Sequence, residues 1–260
     1  MPSSHVTPAI VLRVVNYGES DRIVTLFGRD TGRLSALARG ARKSQRRFAG
    51  GLSLCAVGSA AVRERPGAEL GTLERFDVTA SHAALGADVA RMAHAAYAAE
   101  LVGKLCAPHQ AEPSVFDWME EFLRLLDADG ASAERLRVFE LGLLSGLGFG
   151  PVLDTCAVCG GGSFAGRDPA DVAFRWDPDG GGAVCTACAR GGRPLQAAVR
   201  AALVRLARTA LADATAEALP PDVNRDCREA LLEIINHHVS GPLKTVEFIA
   251  KVARAAGGQP

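Results

Sequence analysis

Two hydrophobic rhythms divide the chain. Over the first 80 residues, apolar side chains come in short β-branched runs at 10–15, 22–27, 33–38, roughly 52–65 and 70–78. Turn formers separate them: Asn16-Tyr17-Gly18, the stretch from Gly28 to Gly32, Arg39-Gly40, and Pro66-Gly67. Five short strands with no helical period between them predict a small closed or nearly closed barrel, OB-like in architecture. Beyond Val78 the period lengthens. Residues 82–106 are alanine-rich, with Leu85, Val89, Met92, Ala96, Ala99 and Val102 at helical spacing. Pro113 opens a second helix with Phe116, Met119, Phe122, Leu123 and Leu126 on one face and Asp129-Gly130 as its stop. Ser132 precedes a third that carries Leu136, Phe139, Leu143 and Leu144. Two more amphipathic stretches follow at 195–215 and 223–239, and Gly241-Pro242 breaks the chain before a short terminal helix.

Between the third and fourth helical stretches lies the most informative chemistry. Cys156-Ala157-Val158-Cys159 is matched by Cys185-Thr186-Ala187-Cys188. Two residues between thiolates is the spacing at which both reach one tetrahedral ion, so the two pairs read as a four-cysteine Zn²⁺ site. A disulfide pair, a redox dithiol and an iron–sulfur cluster are the alternatives. Four thiolates would fill the coordination shell of zinc, which makes the ion structural, with Phe164, Phe174 and Trp176 as local packing material. Cys55, Cys106 and Cys227 sit in apolar or helical contexts and read as ordinary buried thiols. The expected architecture is therefore α+β and multidomain. It has an OB-like domain at 1–80, a helical domain at 81–150 and 195–260, and an inserted four-cysteine zinc module at 151–194.

Charge changes this picture more than composition does. With 260 residues, 48% hydrophobic and 22% charged, the chain can bury a core without a disulfide scaffold. Its formal net charge of zero conceals a balance of +5 over residues 1–80 and −5 over 81–150. From 29 to 50 stand Arg29, Arg33, Arg39, Arg42, Lys43, Arg46 and Arg47, against Asp30 alone. Such a segment points to an anionic partner. Between two barrel strands, Arg39, Arg42, Lys43, Arg46 and Arg47 would form a cationic loop beside the groove in which OB-folds hold single strands. Guanidinium groups suit phosphates. A merely solvated loop is the bland reading, and Phe48 suits a core anchor better than a base-stacking platform.

Other classes find less support. The longest uncharged apolar stretch, 141–153, is too short to span a bilayer, and the amino terminus lacks the basic region of a signal peptide. A cytoplasmic protein without membrane contact is expected. Gly103-Lys104 is followed by Leu105, so no P-loop motif is present; H-E-x-x-H and G-x-S-x-G are also absent, and the six histidines are scattered apart from His237-His238. An enzyme is not expected. An OB barrel with a zinc ribbon also fits an RNA-binding module, and the acidic segment would suit a protein-interaction scaffold.

A family resemblance weighs on this choice. The segment from Tyr17 to Leu26, beginning Tyr17-Gly18-Glu19-Ser20-Asp21-Arg22, and the basic stretch from Ala38 to Gly50 resemble the N-terminal domain of the RecO family of bacterial recombination and repair mediators. The segment from Phe139 to Phe149, then Leu153-Asp154-Thr155-Cys156-Ala157-Val158-Cys159-Gly160, looks like that family's helix-to-cysteine junction, and Gly241-Pro242-Leu243-Lys244-Thr245 with Phe248 its C-terminal signature. Ser53-Leu54 departs from the usual Gln-Pro. The resemblance implies an OB-fold, a helical domain and a zinc module carried by many members. It also implies a non-enzymatic protein of the bacterial nucleoid that binds single- and double-stranded DNA and anneals complementary strands. With RecR, such a protein helps load the RecA recombinase onto DNA coated by single-strand-binding protein. Carried onto this chain, the DNA contacts are Arg39, Arg42, Lys43, Arg46 and Arg47, and the zinc ligands are Cys156, Cys159, Cys185 and Cys188.

Overall fold

A computed structural model describes residues 3–44, 46–48, 51–65, 67–68, 70–161 and 173–255. The five expected strands are β1 (Ser3–Tyr17), β2 (Asp21–Gly28), β3 (Gly32–Ala38), β4 (Val57–Glu64) and β5 (Gly71–Ala80). They close into a barrel in the order β1-β2-β3-β5-β4, an OB-fold. β1 begins seven residues before the first β-branched run. Its first half pairs with β4, from Ser3 opposite Glu64 to Ile10 opposite Val57, and its second half pairs with β2. The early segment was not legible as a strand because it lacks alternation: Val6 faces solvent at 69% exposure. A bulge between Val11 and Arg13 shifts the register where the strand passes from one partner to the other. Alternate residues fill the barrel, among them Val11, Val24, Leu26, Leu34, Ala36, Val62, Leu73 and Phe76. Closure is thin, since parallel β3 and β5 meet only at Ala36 opposite Gly71 and Leu37 opposite Thr72.

Packing groups the described residues into two units, 3–130 with 243–255, and 131–242. The expected boundaries at 80, 150 and 194 follow composition, whereas this grouping follows contact. In the first unit, helix α1 (Val89–Leu105) packs on the barrel and α2 (Pro113–Asp129) beside it. Asp88 caps α1 by accepting from the amides of Ala90 and Arg91. The expected inward face of α1 is partly wrong: Val89 and Met92 are 57% and 41% exposed, while Ala93, Ala95, Ala98 and Ala99 are buried with Tyr97, Leu101 and Val102. The alanine stripe lets the backbone approach closely enough for the Cys55 thiol to donate to the Ala95 carbonyl at 3.5 Å. On α2 the expected face is buried as read, and Arg29 of the barrel grips Asp117 with two bonds of 2.8 and 2.9 Å. The carboxyl-terminal α6 (Lys244–Ala255) returns to α1, where Glu100 accepts from the amides of Lys244 and Thr245 and from the Thr245 hydroxyl.

The second unit contains α3 (Ala133–Gly146), α4 (Ala197–Ala207) and α5 (Pro221–His238), with a three-stranded sheet of β6 (Phe174–Asp177), β7 (Gly182–Cys185) and β8 (Arg193–Leu195). The Ser132 hydroxyl caps α3 by accepting from the Arg135 amide at 3.2 Å. Leu136, Phe139, Leu143 and Leu144 are buried as expected. Phe174 and Trp176 on β6 are buried too, at 3% and 0% exposure; Phe164 lies outside the described residues. No helix among the described residues is long and apolar enough to cross a membrane.

Candidate nucleic-acid interface and metal centre

The basic loop leaves the barrel at the end of β3 and is built as a series of turns. Ser44 and Lys43 donate their amides to the Gly40 carbonyl, and Gly40 has φ of 64°, a left-handed value that suits glycine. The loop is tied to the β1–β2 turn: Asp21 accepts from the Gly40 amide at 2.7 Å, Ser20 from the Arg42 amide, and Glu19 from the Arg42 side chain at 3.0 Å. The Gly40 N–H holds the Asp21 carboxyl below its ordinary range, helped by Ser20 and by the nearby Arg39 charge. At the far side, the Arg47 carbonyl accepts from the Phe76 amide on β5, and the Arg47 guanidinium donates to the Arg39 carbonyl at 2.7 Å. Arg39, Arg42, Lys43, Arg46 and Arg47 are all exposed, whereas Phe48 is buried in the barrel core. Phe48 is therefore the core anchor that its context suggested. Two other cations of the run are used internally: Arg29 on Asp117, and Arg33 on the Cys106 carbonyl at 3.0 Å. The cations of the loop thus gather beside the β1–β2 turn, one of the two loops by which OB-folds bind oligonucleotides.

Cys156, Cys159, Cys185 and Cys188 come together from the two turns that flank β6 and β7, with all four sulfurs within 4.8 Å of one another. No disulfide joins them. The Cys159 and Cys185 sulfurs are 4.0 Å apart, close to the ~3.8 Å edge of a tetrahedron with metal–sulfur bonds of ~2.3 Å. Each pair closes a tight turn: Gly160 donates to the Cys156 carbonyl, and Cys188 and Ala189 to that of Cys185. The two turns are registered by Cys185 N–H donating to the Cys156 sulfur at 3.3 Å and by Ala157 N–H donating to the Ala183 carbonyl at 2.8 Å. Gly182 permits the fit, because a Cβ there would stand 2.5 Å from the Val152 carbonyl oxygen. Burial pushes the Cys156 thiol up, but the amides of Cys159, Cys185 and Val158 pull it below its ordinary value; Cys188 is pushed up by its bonds to the Cys185 and Cys159 thiols. The donor set fits a cation, and the cluster could hold a metal ion.

Comparison with known proteins decides the family. The model described as Recombination protein O N terminal matches residues 1–82, and that described as Recombination protein O C terminal matches residues 86–247. The chain belongs to the RecO family. The DNA repair protein RecO of Anaeromyxobacter dehalogenans (strain 2CP-C) is 42% identical over 252 residues, covering 96% of this chain and 97% of its own length. Those of Myxococcus xanthus and Geobacter sulfurreducens are 39% and 37% identical over 244 and 246 residues, each across 94% of this chain and 96% of their own. This is a family of DNA repair proteins, and the resemblance read from residues 17 to 248 is borne out.

Within that RecO frame, three groups escaped sequence reading. Arg63 and Arg65 at the end of β4 line a cavity with Arg39, although they are far from the basic run along the chain. Tyr17, read from the sequence only as part of a turn and a motif, ends β1 opposite Asp21 with 56% of its surface exposed. Arg200 on α4 is 1% exposed and donates to the Leu153 and Asp154 carbonyls, at 2.7 Å each, with its guanidinium 3.3 Å from the Phe174 ring centroid. It clamps the chain just ahead of Cys156. Burial lowers its pKa to about 10, leaving it charged at neutral pH. Arg63 and Arg65 carried no pattern that could have been found, but an arginine on the apolar face of α4, next to Val199 and Leu203, was a visible anomaly.

Proposed function

We propose that this protein is a recombination mediator that binds single- and double-stranded DNA and anneals complementary strands. With RecR it would help load RecA onto DNA coated by single-strand-binding protein. The observation that carries this reading is the set of five exposed cations on a loop pinned beside the β1–β2 turn of an OB-fold, in a chain whose relatives are DNA repair proteins. Arg39, Arg42, Lys43, Arg46 and Arg47 hold phosphates without reading bases, because guanidinium and ammonium groups meet the backbone and not the base edges. Two strands bound at such a surface have part of their mutual repulsion neutralised. Base pairing then drives annealing, and no nucleotide is hydrolysed. The nucleoid is the place of action that follows.

Zn²⁺ is the ion proposed for Cys156, Cys159, Cys185 and Cys188. Four thiolates leave no open position, so its contribution is to hold the two cysteine turns together and not to activate water. The domains proposed are those expected from the sequence: a nucleic-acid-binding OB-fold at 1–80, a helical domain at 81–150 and 195–260, and a zinc-binding module at 151–194.

Titrating a fluorescein-labelled single-stranded oligonucleotide at several salt concentrations tests the DNA-binding part. About five neutralised phosphates give a slope of log K against log[salt] of roughly −3.5. Changing Arg42, Lys43 and Arg46 together to alanine should bring the slope to roughly −1.4. An unchanged slope would remove the loop from the binding surface.

A further inference from the structure

The four cysteines of the metal centre are not equally sheltered. Cys156 is 1% exposed, and its sulfur accepts the Cys185 N–H at 3.3 Å. Cys185 and Cys188 are half-buried, and Cys159 is exposed. The chain around Cys159 leaves it so. Val158 before it is 62% exposed, and after it come Gly160 and Gly161, which have no side chain to lay over the sulfur. A Cβ at Gly161 would stand 3.4 Å from the Cys159 sulfur, an ordinary contact distance, so a position from which the sulfur could be covered is left open. A small solute therefore meets one sulfur of the cluster first.

A second sulfur is in contact with it. The Cys185 sulfur stands 4.0 Å from that of Cys159 and belongs to the opposite turn. The remaining cysteines of the chain are no rivals as targets. Cys55, Cys106 and Cys227 are at most 2% exposed, and burial pushes their thiols up to about 12. Oxidation of a cysteine follows exposure and thiolate character. Where another sulfur touches the oxidised one, the reaction ends in a reversible disulfide in place of the irreversible sulfinic and sulfonic acids.

We propose that Cys159 is a site of oxidation by hydroperoxides, with Cys185 as its resolving partner, so that peroxide dismantles the metal centre and reduction restores it. For the loss of the ion, though not for the sulfur chemistry, the inference rests on the zinc proposed above. The Cys159 thiolate attacks the terminal oxygen of hydrogen peroxide. The O–O bond breaks, Cys159 becomes a sulfenic acid, and the departing hydroxide takes a proton from solvent. The Cys185 thiolate then attacks the sulfenic sulfur; the S–S bond forms, the S–O bond breaks, and a second hydroxide leaves and is protonated. Two thiolates lose two electrons, the peroxide gains them, and two waters result. The two cysteines that remain cannot fill a tetrahedral shell. The new bond joins the same two turns that the ion joined, so the module exchanges one fastening for another and does not come apart.

The test treats the zinc-loaded full chain with hydrogen peroxide beside a chromophoric zinc chelator. Zinc release should be equimolar with disulfide formed. Peptide mass mapping after alkylation should find Cys159 joined to Cys185, with Cys55, Cys106 and Cys227 still reduced. Dithiothreitol and zinc should restore the starting protein. Histidine also binds zinc, so two ligand exchanges locate the point of attack. Cys159→His should slow peroxide-driven release about tenfold, whereas Cys188→His should release at close to the unaltered rate. Equal sensitivity of the two variants, or a disulfide within Cys156–Cys159 or Cys185–Cys188, would overturn the assignment. Sulfinic acid at Cys159 without a disulfide would reject the resolving role of Cys185. If neither variant loads zinc, the mapping of the unaltered chain decides alone. A chain that takes up no zinc at all would remove the ion, a failure of the earlier reading, and the mapping would still confirm or reject the sulfur pair.

Discussion

Phe48 sits at 4% exposure between exposed Arg47 and the barrel interior, and the Arg47 guanidinium lies 5.4 Å from its ring centroid. A ring so placed fastens the end of the basic run to the core, so its value is in stability. Phe48→Ala should cost about 3–5 kcal/mol in denaturant unfolding; a variant of unchanged stability that no longer binds DNA would instead make the ring a stacking platform. Arg200 works in the same structural sense. Arg200→Met keeps the aliphatic bulk but leaves the Leu153 and Asp154 carbonyls without their donor. Faster metal loss to a chelator, with α-helical content preserved, is the expected result; unchanged release would show that the clamp does not support the cysteines. At this scale legibility depended on locality. The four cysteines could be paired by spacing alone, because two residues between ligands is itself a geometric statement. Arg63 and Arg65 could not be joined to Arg39, because β-sheet pairing, which brings them together, has no short-range signature. Arg29 and Arg33 looked the same as their neighbours in the basic run, yet an aspartate on α2 and a backbone carbonyl occupy them.

Two elements have identifiable fixing contacts, the cysteine turns and α6. The cysteine turns depend on their ion: four sulfurs within 4.8 Å carry a charge repulsion that a divalent cation relieves. Cys156→Ser or Cys185→Ser should abolish stoichiometric zinc, measured by mass spectrometry of the native chain, and lower the melting temperature more than it lowers intrinsic DNA affinity. Full thermal stability without metal would contradict a structural ion. Helix α6 depends on Glu100. Burial pushes this carboxyl up, but the Thr245 hydroxyl and the Lys244 and Thr245 amides pull it below its ordinary value of 4.5. A depressed folded pKa means the contribution is complete above the unfolded value near 4.5 and is lost as pH falls through the lower folded value. Protection of the α6 amides, corrected for the intrinsic pH dependence of exchange, should fall below pH 4.5, and Glu100→Gln should show that weaker protection already at pH 7. Equal protection in both proteins would mean that packing alone holds α6. The helices themselves were readable wherever large apolar residues marked the buried face, as on α2. On α1 they misled, because alanine allowed closer approach than Val89 and Met92 would.

At the scale of the whole molecule, the chain joins a barrel proposed to bind DNA to a helical body that carries the cysteine module, and the two are proposed to act as a mediator. The OB-like barrel, the cysteine module and the family were accessible from five short strands, two cysteine pairs and scattered motifs, but the order in which the strands pair was not. The grouping of α1, α2 and α6 with the barrel was not, because no local pattern says which surface an amphipathic helix will cover. The central claim is that the protein brings complementary strands together without consuming nucleotide, even against a coat of single-strand-binding protein. The most direct measurement is the annealing rate of two complementary oligonucleotides precoated with that protein, with zinc-loaded chain and no ATP. The account predicts acceleration that falls with salt and is largely lost in the triple variant of Arg42, Lys43 and Arg46. No acceleration, together with tight binding to structured RNA, would contradict it and leave the barrel as an RNA-binding module.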